Sequence, residues 1–224
     1  TEPAAGICLK EEYQSSLLGG FQEVHTDLEK ADRVYQAIRR KISYMDLRRI
    51  YKCFLSTVPD KEMILLRYIV LGFHIGSGIS KLHGNPDVFA AQEIEKKINV
   101  EAERMRQFVR FSVMQGDILY ARIEPDHDVL ELIGDHFSDR FRNDPFLIHD
   151  VRRGKAMAGY QGKWYITSFA ENDVPEESEE EKEYQALWQK YFDHIAIKER
   201  KNSNCQRNFM PLRYRKHLTE CQMR

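Results

Sequence analysis

Three histidines lie beside carboxylates within one stretch of 25 residues. The stretch contains, in chain order, Asp126, His127, Asp128, Asp135, His136, His149 and Asp150. Imidazole and carboxylate groups together can ligate a metal or carry general acid–base chemistry. The candidate catalytic residues are therefore His127, His136, His149 and Asp150. The competing interpretation is that these groups cap helices and occupy satisfied polar positions of the core. Because no recognised ligand spacing such as HExxH or HxH is present, we predict no bound metal.

A second group of chemically suited residues is the basic segment 198–218, KERKNSNCQRNFMPLRYRKHL. Seven of its residues are Lys or Arg and one is Glu, whereas the whole chain has a formal net charge of −1. Arginine and amide side chains near aromatic residues suit contacts with phosphates and bases. If residues 211–221 are helical, Tyr214 and Leu218 share one face, while Arg213 and Lys216 share another. Arg152 and Arg153, at the turn of a predicted hairpin, could add their positive charge to this surface. The predicted nucleic-acid-binding residues are Arg200, Lys201, Arg207, Arg213, Lys216, Arg152 and Arg153.

An acidic segment, residues 171–183, precedes the basic one and contains eight carboxylates and one lysine. It has little apolar area to bury, so we expect a solvated loop. The competing interpretation of the basic segment is that its cations pair with these carboxylates or only keep a surface soluble.

The remaining composition is that of an ordinary folded protein, with 224 residues, 42% hydrophobic and 31% charged. Four cysteines without a CxxC pair indicate reduced thiols, and we predict no disulfide and no cofactor. No apolar run reaches the roughly 20 residues that a membrane helix needs, and residues 1–14 lack the pattern of a signal peptide. We therefore expect a cytoplasmic protein that does not enter a membrane.

Hydrophobic spacing predicts an α+β protein, with a helical N-terminal half followed by a small antiparallel sheet flanked by helices. Helices are predicted from Thr26, Ser43, Lys61 and Pro86, the last one ending near Gly116. Strands are predicted at residues 118–123, 146–152, 155–160 and 163–169, the last three as an antiparallel meander.

Two further helices are predicted, at residues 128–141 and 181–196, the second with a strong apolar face. We accordingly divide the chain into a mainly helical region, residues 1–115, and an α+β domain, residues 116–224. That domain would contain the acidic loop 171–183 and end in a basic helix.

The chain resembles, in two long stretches, the C-terminal domain of a bacterial family that is named as a domain of unknown function and labelled as DNA-metabolism or DNA-repair proteins. The stretches are ILYARIEPDHDVLELIGDHFSDRFRNDPFLIHDVRRGKA and YQALWQKYFDHIAIKERKNSNCQRNFMPLRYRKHLTE. A third stretch, VHTDLEKADRVYQAIRRKIS, is similar to the family's N-terminal part, so the likeness runs from about Val24 to Glu220. In that family the gene typically neighbours a radical SAM protein, and some relatives are fused to a uracil-DNA-glycosylase-like domain. The resemblance implies DNA and a radical SAM protein as partners and assigns no catalytic residue.

Three functions remain open from the sequence. The first is a nucleic-acid-binding accessory protein of DNA repair that works with a radical SAM partner. The second is a metal-dependent hydrolase or nuclease-like enzyme that uses the His/Asp cluster. The third is a protein–protein adaptor without nucleic-acid binding. Convergence of the three histidines would favour the second, and a continuous basic groove would favour the first.

Overall fold

The computed structural model describes residues 20–174, 176–195 and 202–218, together with residues 6–8, 10, 13 and 221. The chain divides into two compact units, residues 1–99 and residues 100–224. The fold class is α+β, as the hydrophobic spacing predicts.

The first unit is helical. Its helices are α1 (Leu28–Lys41), α2 (Tyr44–Phe54) and α3 (Lys61–Ile75), followed by a 3₁₀ turn (Gly76–Lys81) and by α4 (Pro86–Phe108), which continues into the second unit. Asp27 and Ser43 cap α1 and α2 by accepting hydrogen bonds from backbone N–H groups of the first turn. Its buried apolar residues include Ile38, Leu47, Cys53, Leu65, Ile79 and Val88.

Residues 61–81 correct one expectation from composition. With a mean hydropathy of 1.5, this segment is long and apolar enough, by length and composition only, to cross a membrane. One such segment is weak evidence, because the core helix of a protein dissolved in water passes the same test. Tyr68, within the segment, is buried, and its hydroxyl donates to the Asp46 carboxylate at 2.7 Å.

The second unit is built on a five-stranded sheet in the order β1-β2-β3-β4-β5. The strands are β1 (Ser112–Met114), β2 (Ile118–Ile123), β3 (Phe146–Asp150), β4 (Lys155–Tyr160) and β5 (Lys163–Ser168). The predicted meander of β3, β4 and β5 is antiparallel and is confirmed. The sheet as a whole is mixed, however, because β2 and β3 run parallel. A parallel pair needs a crossover connection, and helix α5 (Leu130–Arg140) supplies it.

Strand β1 is absent from the sequence-based prediction, which extended α4 to Gly116. The helix ends at Phe108 instead, and residues 109–114 lead into a hairpin with β2. Gly116 and Asp117 form its turn, with φ of 81° and 58°. These positive φ values fit a tight hairpin loop, so the Gly-Asp pair marks a strand turn and not a helix end.

Helix α5 packs closely against the sheet. A Cβ added at Gly134 would lie 2.5 Å from Cε2 of Trp164, so the indole rests directly on the helix backbone. The Trp164 indole N–H also donates to Asp135 at 2.9 Å. This close approach fixes the connection that carries the chain from β2 to β3.

The acidic segment differs from the predicted loop. Residues Glu171–Asp173 form a 3₁₀ turn, and helix α6 (Glu179–Ile195) already begins within the segment. Glu177 forms an isolated bridge with Met114, and the Ser178 N–H donates to the Val113 carbonyl at 3.2 Å. The edge strand β1 presents free backbone groups, and the acidic segment satisfies some of them.

The C-terminal part contains α7 (Ser203–Phe209) and a 3₁₀ helix (Leu212–His217), where the sequence predicts a basic helix. Tyr214 and Leu218 are buried, as the predicted shared face requires. This short helix packs near the end of β2, where the candidate site lies.

Candidate functional site

The carboxyl ends of β2 and β3 lie side by side, because the two strands are parallel and Ile123 pairs with Asp150. The segments that follow, residues 124–128 and 151–153, therefore leave the sheet at the same edge. In sheets with parallel strands and crossover helices, ligands bind in the crevice outside these ends. Here the crevice encloses about 410 Å³ and is lined by Glu124, Asp126, Val151, Arg152 and Arg213.

Glu101, on the last turns of α4, organises this edge. Its side chain is 3% exposed and accepts from the backbone N–H groups of Asp126 (3.0 Å) and His127 (2.7 Å). The Tyr214 hydroxyl donates to the same carboxylate at 2.9 Å. One buried carboxylate thus holds the loop after β2 and the C-terminal 3₁₀ helix together.

The cations of the 3₁₀ helix are paired with carboxylates of this edge. Arg213 forms ion pairs with Asp126 and, at 3.6 Å, with Glu101. Lys216 lies 2.6 Å from Glu124, and this contact lowers the pKa of the Glu124 carboxyl below its usual range. We call this set the carboxyl-end cluster; its members are Glu101, Glu124, Asp126, Arg152, Arg213 and Lys216.

The two hairpin arginines are also engaged. Arg152 lies 3.2 Å from Asp126. Arg153 donates to Asp150 at 2.8 Å and to the carbonyl of Pro125 at 3.1 Å. Asp150 is fully buried, and burial raises the pKa of its carboxyl. Through Arg153, the Asp150 carboxylate connects the end of β3 to the loop after β2, which is a structural role.

The candidate catalytic histidines occupy different environments. The His149 ring is 1% exposed and shares a hydrogen bond with the Tyr120 hydroxyl at 2.9 Å, and burial lowers the pKa of its imidazole. Since His149 and Asp150 are consecutive in a strand, their side chains point to opposite faces of the sheet. His136 is exposed on α5 against the edge of Phe137, and His127 is half-buried, with its pKa lowered by burial.

No group of three or more His, Cys, Asp or Glu side chains within the described part of the chain is placed to hold a metal ion. The absence of bound metal stays a prediction. Of the predicted nucleic-acid-binding residues, Arg200 and Lys201 lie outside the described residues, and Arg207 is exposed on α7. The other four are the paired cations Arg152, Arg153, Arg213 and Lys216.

A larger cavity lies on another side of the second unit, between the end of α4, helix α5 and helix α6. Its volume is about 960 Å³, near the upper end of about 300–1,000 Å³ for ligand pockets. Arginines and aromatic rings dominate its wall. We call it the arginine–aromatic groove; its principal residues are Arg106, Arg110, Phe111, Arg140, Phe141, Tyr184, Trp188 and Tyr191.

The charge of the groove is positive. Arg106 donates to Glu103 at 2.9 Å and to the Leu132 carbonyl, which fixes its guanidinium against α5. The Arg140 guanidinium lies 5.5 Å from the centre of the Phe141 ring. Within the described residues, no carboxylate lies within ion-pair distance of Arg140. Glu181 is the one carboxylate that the described residues contribute to the wall, and it accepts from the Val113 N–H at 3.1 Å.

The sequence predicts the apolar face of α6 but not the groove, and Arg106 and Arg110 are not among the predicted binding residues. Arg106 and Arg110 are four residues apart and form an evident basic strip, while the apolar stripe of α6 has the spacing of a buried face. The structure leaves that stripe in solvent, with Trp188 45% and Tyr191 54% exposed. Only the tertiary structure brings the arginines of α4 and the aromatic residues of α6 to the same cavity.

Comparison with known proteins gives one match. The model of the domain of unknown function DUF4130 matches residues 59–220, which is more than half of the chain. No curated protein and no solved structure matches the chain.

Proposed function

The chain belongs to the DUF4130 family, and we propose that it is a nucleic-acid-binding accessory protein of DNA metabolism that works with a radical SAM partner. The observation that carries the proposal is the arginine–aromatic groove. The role in DNA metabolism and the partner rest on the resemblance described above and on nothing else.

The groove combines the two kinds of side chain that nucleic acids require. Guanidinium groups such as Arg106 and Arg140 stay charged and donate in a fork that matches phosphate oxygens. Exposed rings such as Trp188 offer flat faces to bases. Arginine and aromatic side chains are also enriched at protein–protein interfaces, so the composition of the wall fits the adaptor function as well, and the salt series below separates the two.

A salt series tests the proposal. Fluorescence anisotropy with labelled single-stranded and duplex DNA is measured for the wild type and for Arg140→Gln. Each phosphate contact contributes a slope of about −0.9 on duplex, or about −0.7 on single strands, to log affinity against log salt. We expect Arg140→Gln to flatten the slope by up to one such contact.

The matched control is Arg142→Gln, two residues along the chain. Arg142 is also exposed, is paired with Asp139 at 3.8 Å, and is not part of the groove wall. Its removal should leave the slope unchanged. No binding of either DNA form by the wild type at low ionic strength would contradict the proposal.

The carboxyl-end cluster offers a second comparison. If Arg213 and Lys216 contact phosphates, as their sequence context predicts, changing both to Gln flattens the duplex slope by about 1.8. We expect no such change, because both cations are paired with carboxylates of the chain. A flattened slope in this double variant, with an unaffected Arg140→Gln variant, would move the interface from the groove to the cluster.

The partner is tested separately. Co-purification of the chain with a radical SAM protein of the kind that the resemblance implies, in wild type and in the Arg140→Gln variant, measures the interaction directly. We expect a complex that survives the variant, because the proposal assigns Arg140 to nucleic acid and not to the partner. Partner binding without any nucleic-acid binding would favour the adaptor function instead.

A further inference from the structure

We infer that the arginine–aromatic groove binds unpaired nucleotides, with bases stacked on Trp188 and Tyr191 and phosphates facing Arg106 and Arg140. This rests on the proposed function and adds the substrate class: single-stranded in preference to duplex nucleic acid.

The aromatic side chains of α6 are largely exposed to solvent. Tyr184 is 65%, Trp188 45% and Tyr191 54% exposed, and their spacing of three and four residues places them along one side of the helix. The Trp188 and Tyr191 rings lie 5.8 Å apart with an interplanar angle of 34°, so they form a nearly continuous tilted surface. Every base has a face that can stack on such a surface, whatever the sequence.

The two ends of α6 differ in charge and in attachment. Near its N-terminus, Glu181 binds the Val113 N–H, and Gln185 donates to the Ser112 hydroxyl at 3.2 Å. That end is acidic and would repel phosphates. Tyr191 lies six residues after Gln185, which is about 9 Å farther along the helix axis at a rise of about 1.5 Å per residue. The aromatic half of α6 is therefore the half on which a strand can lie.

Charge complementarity decides between possible occupants. The opposite wall supplies Arg106 and Arg140, so the occupant must present anionic groups on one side and flat apolar groups on the other. A single strand does so at every nucleotide, so successive bases can stack on the two rings while their phosphates face the arginines. A duplex hides its base faces by stacking and offers the groove only its phosphates.

The experiment compares labelled 12-mers of dT and dA with a duplex of the same length, using the full chain. Loss of stacking in Trp188→Ala should weaken single-strand binding by between about five- and 150-fold. Trp188→Phe should restore most of the affinity, because a ring face remains. Tyr165→Ala is the matched control: Tyr165 is 65% exposed on β5 and is not in the groove wall, so binding should not change.

The outcomes separate the two proposals. Single-strand binding that depends on Trp188 supports the inference. Duplex binding as tight as single-strand binding, and insensitive to Trp188→Ala, overturns the inference and leaves the proposed function standing. Absence of binding to all three probes overturns both. Concentration-dependent self-association in gel filtration that Trp188→Ala abolishes would show a second copy of the chain to be the occupant, and it would overturn the inference as well.

Discussion

Replacing Glu101 by Gln should destabilise the second unit by about 3–5 kcal/mol. One carboxylate oxygen of Glu101 accepts from the Asp126 N–H and the Tyr214 hydroxyl, and the other accepts from the His127 N–H at 2.7 Å. A glutamine amide has only one acceptor oxygen. If that oxygen keeps the first two donors, its NH₂ group faces the His127 N–H and leaves a buried donor unsatisfied.

The magnitude follows from the separate terms. An unsatisfied buried N–H costs about 1–3 kcal/mol, and hydrogen bonds to a charged acceptor are about twice as strong as those to a neutral one. The hydrogen bonds from the Asp126 N–H and the Tyr214 hydroxyl each weaken by about 1 kcal/mol, which brings the total to about 3–5 kcal/mol. Because the side chain is only 3% exposed, water cannot replace the missing acceptor.

The assay combines urea unfolding with hydrogen exchange at the amides of residues 126 and 127. Glu101→Gln should lower the free energy of unfolding and speed exchange at residue 127 more than at residue 126. Glu103→Gln is the control, because Glu103 is exposed on the same helix and pairs with Arg106 at the surface, where such ion pairs contribute little to stability. A loss below about 0.5 kcal/mol for Glu101→Gln, or unchanged protection at residue 127, would refute the reasoning.

Further predictions concern other parts of the chain. Asp46→Ala should destabilise the first unit by about 3–5 kcal/mol, because it removes a buried carboxylate that accepts from Tyr68 and others, and thermal unfolding measures the loss. Gly134→Ala should cost about 1–3 kcal/mol, since the new methyl would overlap the Trp164 ring; a shift in Trp fluorescence should accompany the drop in melting temperature. Burial lowers the pKa of His149 below the 6.5 of an unfolded histidine, so the folded state binds the proton more weakly. Its contribution to stability is present above about pH 6.5 and is lost as pH falls through the folded pKa, and His149→Gln should flatten the pH dependence of the melting temperature in that range.

The sequence predicts the features that depend on neighbouring residues better than those that depend on contacts between distant parts of the chain. The hairpins of the meander are predicted because Arg153-Gly154 and Gln161-Gly162 are turn signals, and Gly154 and Gly162 do adopt positive φ. The parallel pairing of β2 with β3 has no such signal, because it depends on the crossover through α5, which packs against β4 and β5. Strand β1 has three residues, too few for its alternation to be recognised.

The candidate site is less predictable than the fold for the same reason. Glu101 looks in the sequence like any carboxylate on an amphipathic helix, and only the tertiary structure reveals that it accepts from a residue 113 positions away. The stripe of α6 is evident from its period, but the period alone does not show whether a face is covered. Burial and partners are properties of the assembled unit, and they decide which charged or aromatic residues remain available.

This distinction bears on the positive charge near the C-terminus. A phosphate that binds Arg213 must displace Asp126, and the freed carboxylate then loses one of its two guanidinium partners. The exchange replaces one charge-assisted contact by another of similar strength, so the net gain is small. At Arg140, by contrast, a phosphate displaces no carboxylate of the described residues, so the new contact is not offset by the loss of an existing one. We therefore expect a phosphate contact to contribute more at Arg140, beside the aromatic face of α6, than at Arg213, whose role as a binding residue stays a prediction.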